Sequence, residues 1–171
     1  MIIILDDVLS KNELENLNEG IDLKVSVDNN LNQYLRKWSD IKFAHPLLKI
    51  SSKYFKLKRN YRYELWKHES SKFIPNWHFD KDEELYRITG VTDIPIFGLI
   101  YYPLIQSLKG GELILEDGTI INPRSNRMVL FSTGTIQHMV DSYQGYRKSF
   151  LINIWAKKNL GIPWLNIISS V

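Results

Sequence analysis

The chain of 171 residues has no cysteine and only four histidines. Disulfide bonds, thiolate metal sites and cysteine nucleophiles are therefore excluded, and any metal ion would have to be bound by histidine and carboxylate side chains. No apolar run approaches the roughly 20 residues that a membrane-spanning helix needs. The opening MIIILDD lacks a basic segment and a cleavage site, so it is not expected to be a signal peptide. We expect a cytoplasmic protein that does not enter a membrane.

Charge of one sign is not in large excess either. The sequence has 22 Lys and Arg against 19 Asp and Glu, a net charge of +3. The one basic cluster, KYFKLKRNYR (53–62), is interpreted as a helix end and turn rather than a nucleic-acid surface. The hydrophobic fraction of 44% is ordinary for a globular protein, and the length suits one domain, residues 1–171. No nucleic-acid partner is expected, and the sequence does not indicate the oligomeric state.

Helical patterns are confined to the first third of the chain. Ser10 and Glu13 form a capping-box pattern ahead of apolar residues at helical spacing, which predicts a helix over about 11–20 after a short strand, IIIL. The segments NNLNQYLRKWSD and HPLLKISSKYFKL predict two more helices, the second with Pro46 in its first turn. Residues 1–59 are therefore predicted to be mostly helical.

After about residue 60 the pattern changes to short alternating segments rich in β-branched and aromatic residues, separated by Gly, Pro and Asn turn formers. Many short strands in one domain favour a sandwich, a jelly roll or a barrel. The strand candidates are YRYELWKHE, IPNWHFD, PIFGLIYYPL, GELILEDG, TIINP, RMVLFS, QHMV and RKSFLINIWA.

The segment IPNWHFDKDEE carries the first chemical motif. In an extended strand, His78 and Asp80 would point to one face, and Trp77 and Phe79 would pack on the other. A His-x-Asp pair alone is common at surfaces and turns. His138, 60 residues after His78, offers a second imidazole. Two histidines and one carboxylate form the triad that leaves open positions on a non-haem Fe(II).

Arg147 is a cation in an otherwise apolar strand candidate. An unpaired guanidinium facing a core would be costly, so this side chain is expected to bind an anion. Its planar fork of N–H groups suits a carboxylate. Ser149, two residues later, would lie on the same face of the strand.

Taken together, these motifs resemble those of the Fe(II)/2-oxoglutarate-dependent dioxygenases. The order is His-x-Asp, IYYPL, GGELIL and then a histidine followed nine residues later by an arginine. The chain is most similar to the prolyl 4-hydroxylase branch, which the N-terminal IIILDDVLSKNELENL also resembles. The resemblance implies an α+β, mainly β fold. Its double-stranded β-helix (jelly-roll) catalytic core would span residues 60–157, with the helices of 1–59 packed on one sheet and 158–171 as a C-terminal tail.

The resemblance also implies roles for individual residues. His78, Asp80 and His138 would ligate Fe(II), and Arg147 would form a salt bridge with the distal carboxylate of 2-oxoglutarate. In addition, Tyr102 and Ser149 would be hydrogen-bond donors in the cosubstrate site, whereas Gly110 and Gly111 would form a structural turn.

The implied reaction uses O2 to hydroxylate an unactivated C–H bond, with release of succinate and CO2. The best candidate substrate is a prolyl residue of a protein or peptide. Related halogenases have a small residue in place of Asp80, so the carboxylate favours hydroxylation. AlkB-type nucleic-acid demethylases have a second arginine downstream that RKSFLINIWAKK lacks, which counts against nucleobase repair.

Three alternatives stay open: a hydroxylase of a free amino acid or small metabolite, a non-catalytic jelly-roll binding module, and a cupin-like metalloenzyme without 2-oxoglutarate. The near wall of the cosubstrate pocket is also open, with Tyr63 and Trp66 as candidates. Most of the other motif residues have structural interpretations. His45 is assigned a structural or solvated role, and residues 82–84 a solvated loop. His68 is assigned a surface position, with the substrate mouth as the alternative. The core or its rim is assigned to Trp66, Trp77, Trp155 and Trp164.

Overall fold

The computed structural model describes residues 1–25, 35–58, 60–69 and 76–156. None of the helices in these ranges is long and apolar enough to cross a bilayer. The predicted tail 158–171 and Trp164 lie outside the described residues, and the division of the chain at 59 and 157 stays a prediction.

The elements are β1 (Ile3–Leu5), α1 (Lys11–Lys24), a 3-10 helix (Trp38–Ala44), α2 (His45–Ser51), β2 (Arg62–Glu69), α3 (Glu83–Thr89), β3 (Phe97–Gly110), β4 (Leu113–Leu115), β5 (Ile120–Ile121), β6 (Arg127–Phe131), β7 (His138–Val140) and β8 (Tyr143–Trp155).

The strands form two antiparallel sheets. The larger sheet has five strands in the order β1-β6-β3-β8-β2, and the smaller has three in the order β5-β4-β7. The long strands β3 and β8 pair along most of their length, with two register shifts. The prediction of a mainly β protein with a few helices is confirmed.

Alternation along the strands of the larger sheet separates two cores. On one face, Tyr63, Leu65 and Phe150 pack with residues of α1 and α2. On the other face, Tyr102 and Ile100 pack with residues of β4 and β5. Burial of a large apolar side chain contributes about 1.5–3 kcal/mol, so the first core fixes the helices on one sheet, as predicted.

The helix predictions are confirmed at two of three positions. The Ser10 hydroxyl accepts from the Glu13 N–H, and the Glu13 carboxylate accepts from the Ser10 N–H, so α1 begins with a capping box. Pro46 lies in the first turn of α2. The helix predicted in NNLNQYLRKWSD is wrong at residues 35–37, the first that the structure describes in this segment. Arg36 exchanges two main-chain hydrogen bonds with Tyr63, and only from Trp38 onward does the chain form a helix, of 3-10 type.

The predicted turn at Gly110 and Gly111 is present. Both residues have positive φ, +79° and +80°, which favours glycine. A Cβ at Gly110 would lie 2.1 Å from the carbonyl oxygen of Ser142. This glycine therefore permits the tight turn between β3 and β4, and its role is structural.

An ion-pair cluster of two buried lysines and one half-exposed carboxylate joins α1 to the larger sheet. Asp22 of α1 accepts hydrogen bonds from Lys67 of β2 at 3.1 Å and from Lys148 of β8 at 2.9 Å. Both lysine side chains are only 8% exposed, whereas that of Asp22 is 53% exposed. Burial alone would raise the pKa of Asp22, but the hydrogen bonds from the two lysines outweigh it and lower this pKa.

Replacing Asp22 with asparagine is expected to lower the free energy of unfolding by about 1–2 kcal/mol at neutral pH, because two buried ammonium groups lose a carboxylate that is itself half exposed. Since the pKa is depressed in the folded state, this stabilisation should be present at neutral pH and be lost as the pH falls through that value. Urea unfolding at pH 7 and pH 3 measures both effects. Glu15→Gln on the same helix, which removes an exposed ion pair with Lys11, is the control and should change little.

Candidate metal and cosubstrate site

Three side chains from two distant parts of the sequence meet at one point. His78, Asp80 and His138 each present a ligand atom, and these atoms all lie within 4.8 Å of one another. The Asp80 Oδ1 atom lies 3.6 Å from His78 Nε2 and 4.0 Å from His138 Nε2. The structure therefore brings together the three residues that the sequence analysis singled out as metal ligands.

The segment that carries His78 and Asp80 is not the strand that alternation predicted. In its described part, His78 forms only an isolated bridge with His138, through two main-chain hydrogen bonds of 3.0 and 2.8 Å. The Asp80 N–H then donates to the carbonyl of Thr133 at 2.8 Å. The chain next turns away from β7, because the Asp82 side chain caps α3 by accepting from the Leu85 N–H.

The predicted solvated loop at 82–84 is therefore also wrong. Asp82 is 2% exposed, and Glu83 begins α3. A carboxylate at a helix N-cap satisfies backbone N–H groups that would otherwise lack partners. The acidic run thus starts a short helix beside the metal-ligand cluster instead of forming an irregular loop.

The two imidazoles are oriented in the same way. His78 Nδ1 lies 2.7 Å from the carbonyl oxygen of Asn76, and His138 Nδ1 lies 3.0 Å from that of Ile136. A carbonyl oxygen only accepts hydrogen bonds, so each Nδ1 must carry the proton. In the neutral form of each ring, Nε2 then has its lone pair toward Asp80, which is the tautomer that a metal ion requires.

Electrostatics at His138 also favours the neutral ligand form. Burial lowers the pKa of this imidazole, although the nearby Asp80 carboxylate opposes the shift. The second carboxylate oxygen, Asp80 Oδ2, is buried without a hydrogen-bond partner among the described residues. Two imidazoles and a carboxylate with an unsatisfied oxygen are a donor set that suits a divalent ion such as Fe(II).

A second group of residues presents hydrogen-bond donors without acceptors. Arg147 is 5% exposed, and its Nη1 donates to Ser149 Oγ at 3.3 Å. Its Nε and the Tyr102 hydroxyl both lack partners within the described ranges. The Arg147 guanidinium carbon lies 5.2 Å from the centre of the Tyr102 ring. Buried donors of this kind are costly unless a ligand satisfies them, and a carboxylate fits this pair.

His78, Asp80 and His138 line one cavity together with Arg147 and Ser149, whereas Tyr102, which packs behind Arg147, is not among the lining residues. The cavity has a volume of about 470 Å³, a size typical of small-molecule sites. The sequence left Tyr63 and Trp66 as candidates for the near wall of the expected cosubstrate pocket. Trp66 lines this cavity, whereas Tyr63 faces the helices on the other side of β2. The cavity is lined by Trp66, His68, Asn76, Trp77, His78, Asp80, Glu83, Ile100, Leu113, His138, Val140, Tyr143, Arg147, Ser149, Leu151 and Asn153.

Two sequence interpretations change at this cavity. His68 lines it and is only partly exposed, so the alternative position beside the cavity fits better than the surface position that the sequence favoured. Trp77 is 49% exposed at the cavity mouth and does not form the packed back of a strand, because residues 76–80, the part of this segment that the structure describes, form none. By contrast, His45 is structural, as one of the two predicted options had it. Its Nε2 bonds to the carbonyl of Trp38, and its ring stacks on that indole.

Sequence reasoning missed Tyr143 and Asn153, which also line the cavity. Both lie on β8 at even spacing from Arg147, so the period-2 rule that linked Arg147 with Ser149 would have reached them. Asn153 is a polar residue in the apolar run FLINIW, which was a usable signal.

Behind the cavity lies a buried carboxyl group, Glu64 of β2. It accepts hydrogen bonds from Trp155 Nε1 at 3.1 Å and from Asn153 Nδ2 at 3.4 Å. Burial and the negative charge of Asp80 raise its pKa from the ordinary 4.5 to about 7, although these hydrogen bonds oppose the shift. In the metal-free protein, Glu64 thus holds its proton to near-neutral pH.

This shift predicts that the metal-free protein loses stability as the pH rises from 4.5 to about 7, because the folded state retains a proton that the unfolded state has released. The full effect is about 3 kcal/mol. Glu64→Gln, which imitates the protonated form, should remove this pH dependence. Urea unfolding between pH 4.5 and pH 8 measures it, with Glu15→Gln as the control. Parallel stability profiles for the parent and Glu64→Gln would contradict the assignment.

Comparison with known proteins supports a fold relationship. No family model and no curated protein matches the sequence. Among solved structures, the chain is similar to a 2OG-Fe(II) oxygenase family oxidoreductase of Burkholderia pseudomallei, with a TM-score of 0.61 and 12% identity, covering 94% of this chain and 86% of that one. It is also similar to the viral collagen prolyl hydroxylase of Paramecium bursaria Chlorella virus-1, described as a 2OG complex, with a TM-score of 0.62, 15% identity and coverages of 92% and 96%.

A third similar structure is a prolyl hydroxylase of Trichoplax adhaerens in complex with a peptide of the hypoxia inducible factor oxygen degradation domain. Its TM-score is 0.58 at 15% identity, with coverages of 91% of this chain and 83% of that one. At such low identity the likeness concerns the fold. The resemblance seen in the sequence motifs is thus matched in three dimensions: the chain has the fold of the 2OG-Fe(II) oxygenases, prolyl hydroxylases among them.

Proposed function

We propose that the protein is an Fe(II)- and 2-oxoglutarate-dependent hydroxylase, and that its best candidate substrate is a prolyl residue of a protein or peptide. One observation carries the proposal. A cluster of two histidines and one carboxylate shares a cavity with a buried arginine whose Nε has no partner among the described residues. Two of the similar structures, a prolyl hydroxylase in a 2OG complex and another in a complex with a peptide, support the same function.

The metal would be held by the Nε2 atoms of His78 and His138 and by the carboxylate of Asp80. When bound, iron together with 2-oxoglutarate and O2 would supply the oxidising power for C–H hydroxylation, with release of succinate and CO2. The two Nδ1 hydrogen bonds to main-chain carbonyls fix both rings, so little reorganisation is needed when the metal binds.

Arg147 would bind the distal carboxylate of 2-oxoglutarate through N–H groups that have no acidic partner among the described residues. The Tyr102 hydroxyl would donate a further hydrogen bond. Ser149 would position the guanidinium by accepting from Nη1. Apolar side chains from both sheets, Ile100, Leu113, Val140 and Leu151, line the same cavity and would exclude water from the reacting groups.

The substrate would enter past Trp66 and the half-exposed Trp77. An indole at a cavity mouth presents a large flat apolar surface, which suits the ring of a prolyl residue. In this proposal the two sheets are the halves of a jelly roll, and the cavity lies where residues of both line it. Helix α3, which has no buried residue and begins beside the cavity, would be part of the substrate-binding rim.

The decisive test is anaerobic titration of the purified protein with Fe(II) and 2-oxoglutarate. A weak visible charge-transfer band is expected, because the cosubstrate would chelate the metal while Arg147 holds its other end. Metal binding without this band would favour a cupin-like enzyme, and no metal binding would favour a non-catalytic module. Succinate release, screened over proline-containing peptides, free amino acids and small metabolites, would then identify the substrate class.

A further inference from the structure

A chain of buried hydrogen bonds leads from β2 to the main chain of Asp80. Glu64 accepts from Asn153 Nδ2 at 3.4 Å, and Asn153 Oδ1 accepts from Thr133 Oγ1 at 3.1 Å. The Thr133 carbonyl then accepts from the Asp80 N–H at 2.8 Å. Glu64, Asn153 and Thr133 are all buried. These hydrogen bonds link β2 and β8 to a loop after β6, and they link that loop to the segment that bears Asp80.

Gly98 of β3 leaves the space that these hydrogen-bonded side chains occupy. It lies opposite Asn153 in the sheet register. A Cβ at this position would lie 2.6 Å from both Asn153 Oδ1 and Thr133 Cγ2. Because real Cβ atoms do not approach other atoms so closely, any side chain here would displace the Thr133–Asn153 hydrogen bond. The glycine thus lets two polar side chains meet in the interior of the sheet.

The segment that bears Asp80 needs such support. Its described residues, 76–82, belong to no strand. Their main-chain attachments are the bridge at His78, the bond from the Asp80 N–H to Thr133 and, two residues further on, the bond from the Asp82 N–H to the carbonyl of Asp93. His138, in contrast, lies within β7. The position of the carboxylate relative to the two imidazoles therefore depends on where the Thr133 carbonyl lies, and the Thr133 hydroxyl ties that residue to Asn153.

We propose that Thr133 and Asn153 are positioning residues for the metal site, which hold the Asp80 carboxylate against His78 and His138 by fixing the main chain at Thr133. The inference rests on the proposed function, because it assumes that these three side chains bind a metal. Neither positioning residue contacts the metal in this scheme. Hydrogen-bond partners that orient ligands in this way typically contribute 10–100-fold to metal affinity.

The test is the affinity of the full chain for Mn(II), measured by the loss of the free-ion signal in electron paramagnetic resonance. Thr133→Val has nearly the shape of threonine but lacks the hydroxyl donor, and it is expected to weaken Mn(II) binding by about 10-fold or more. Thr133→Ser keeps the donor and should bind Mn(II) like the unaltered protein. Because the readout is metal binding alone, it does not depend on knowing the substrate.

Asn126→Ala is the control for general destabilisation. Asn126 bonds to the Tyr101 hydroxyl and to the main chain of Leu9, and it does not line the cavity, so this variant should lose stability without losing Mn(II) affinity. Equal Mn(II) affinity in Thr133→Val and the unaltered protein, or equal loss in Asn126→Ala, would overturn the inference. Absence of Mn(II) binding in the unaltered protein would overturn the proposed metal site itself.

Discussion

Replacement of Asp80 by alanine is expected to reduce hydroxylation by at least about 100-fold, because the metal would lose one of three ligands and the only anionic one. The remaining imidazoles are neutral donors, so the charge that helps to retain a divalent ion would also be lost. Mn(II) affinity and succinate release, measured side by side, separate loss of the metal from loss of chemistry. Both should fall together, because both depend on the same carboxylate.

The matched control is Asp40→Ala in the 3-10 helix of the helical layer, remote from the cavity lining. This variant also removes one carboxylate but should retain metal binding and activity. Full activity in Asp80→Ala would mean that the metal lies elsewhere or that none is used. Asp80→Glu, which keeps the charge on a longer side chain, should retain weak metal binding.

The second large effect is expected for the cosubstrate anchor. In Arg147→Ala, the concentration of 2-oxoglutarate needed for half-maximal turnover should rise by about 100-fold, since the loss of charge-assisted hydrogen bonds to a buried carboxylate costs about 3 kcal/mol. Metal affinity should change little, because Arg147 is not among the three clustered ligands. Arg147→Lys keeps the charge but not the planar fork, so it should recover only part of the loss.

Arg124→Ala is the control for this experiment. Arg124 is an exposed arginine that pairs with Asp6 and Asp7, so its loss should leave the 2-oxoglutarate requirement unaltered. Ser149→Ala should have a smaller effect than Arg147→Ala, because Ser149 accepts one 3.3 Å hydrogen bond from the guanidinium. An unchanged requirement in Arg147→Ala would show that the anchor lies elsewhere in the cavity.

Where the sequence predicted well, the signal was local. The capping box at Ser10 and Glu13 marks the start of α1, since both partners lie within one helical turn. The alternation in RKSFLINIWA marks β8 and assigns Arg147 and Ser149 to one face, which the strand confirms through their shared cavity. Residues brought together across 60 positions were predictable only through the resemblance, because periodicity carries no information about which strands meet.

The errors have two physical causes, which are competition from long-range partners and a local helix cap. Alternation in IPNWHFD favours a strand, but β7 offers this segment one bridge only, and the cap formed by Asp82 turns the chain into α3. Near Arg36, pairing with Tyr63 overrides helical spacing. The raised pKa of Glu64 depends on its burial near Asp80, which no local pattern reveals.

The position of Lys148 has a consequence for fragments of this protein that lack the N-terminal helices. It lies between Arg147 and Ser149 on β8 but points to the opposite face, where Asp22 of α1 accepts hydrogen bonds from it and from Lys67. The strand that presents Arg147, the proposed cosubstrate anchor, on one face thus has the charge of Lys148 on its other face balanced by the N-terminal helix. A fragment beginning at β2 would carry two ammonium groups on a bare apolar sheet face with no counter-charge from α1. The helical layer and the cavity therefore form one unit for truncation, grafting or fusion.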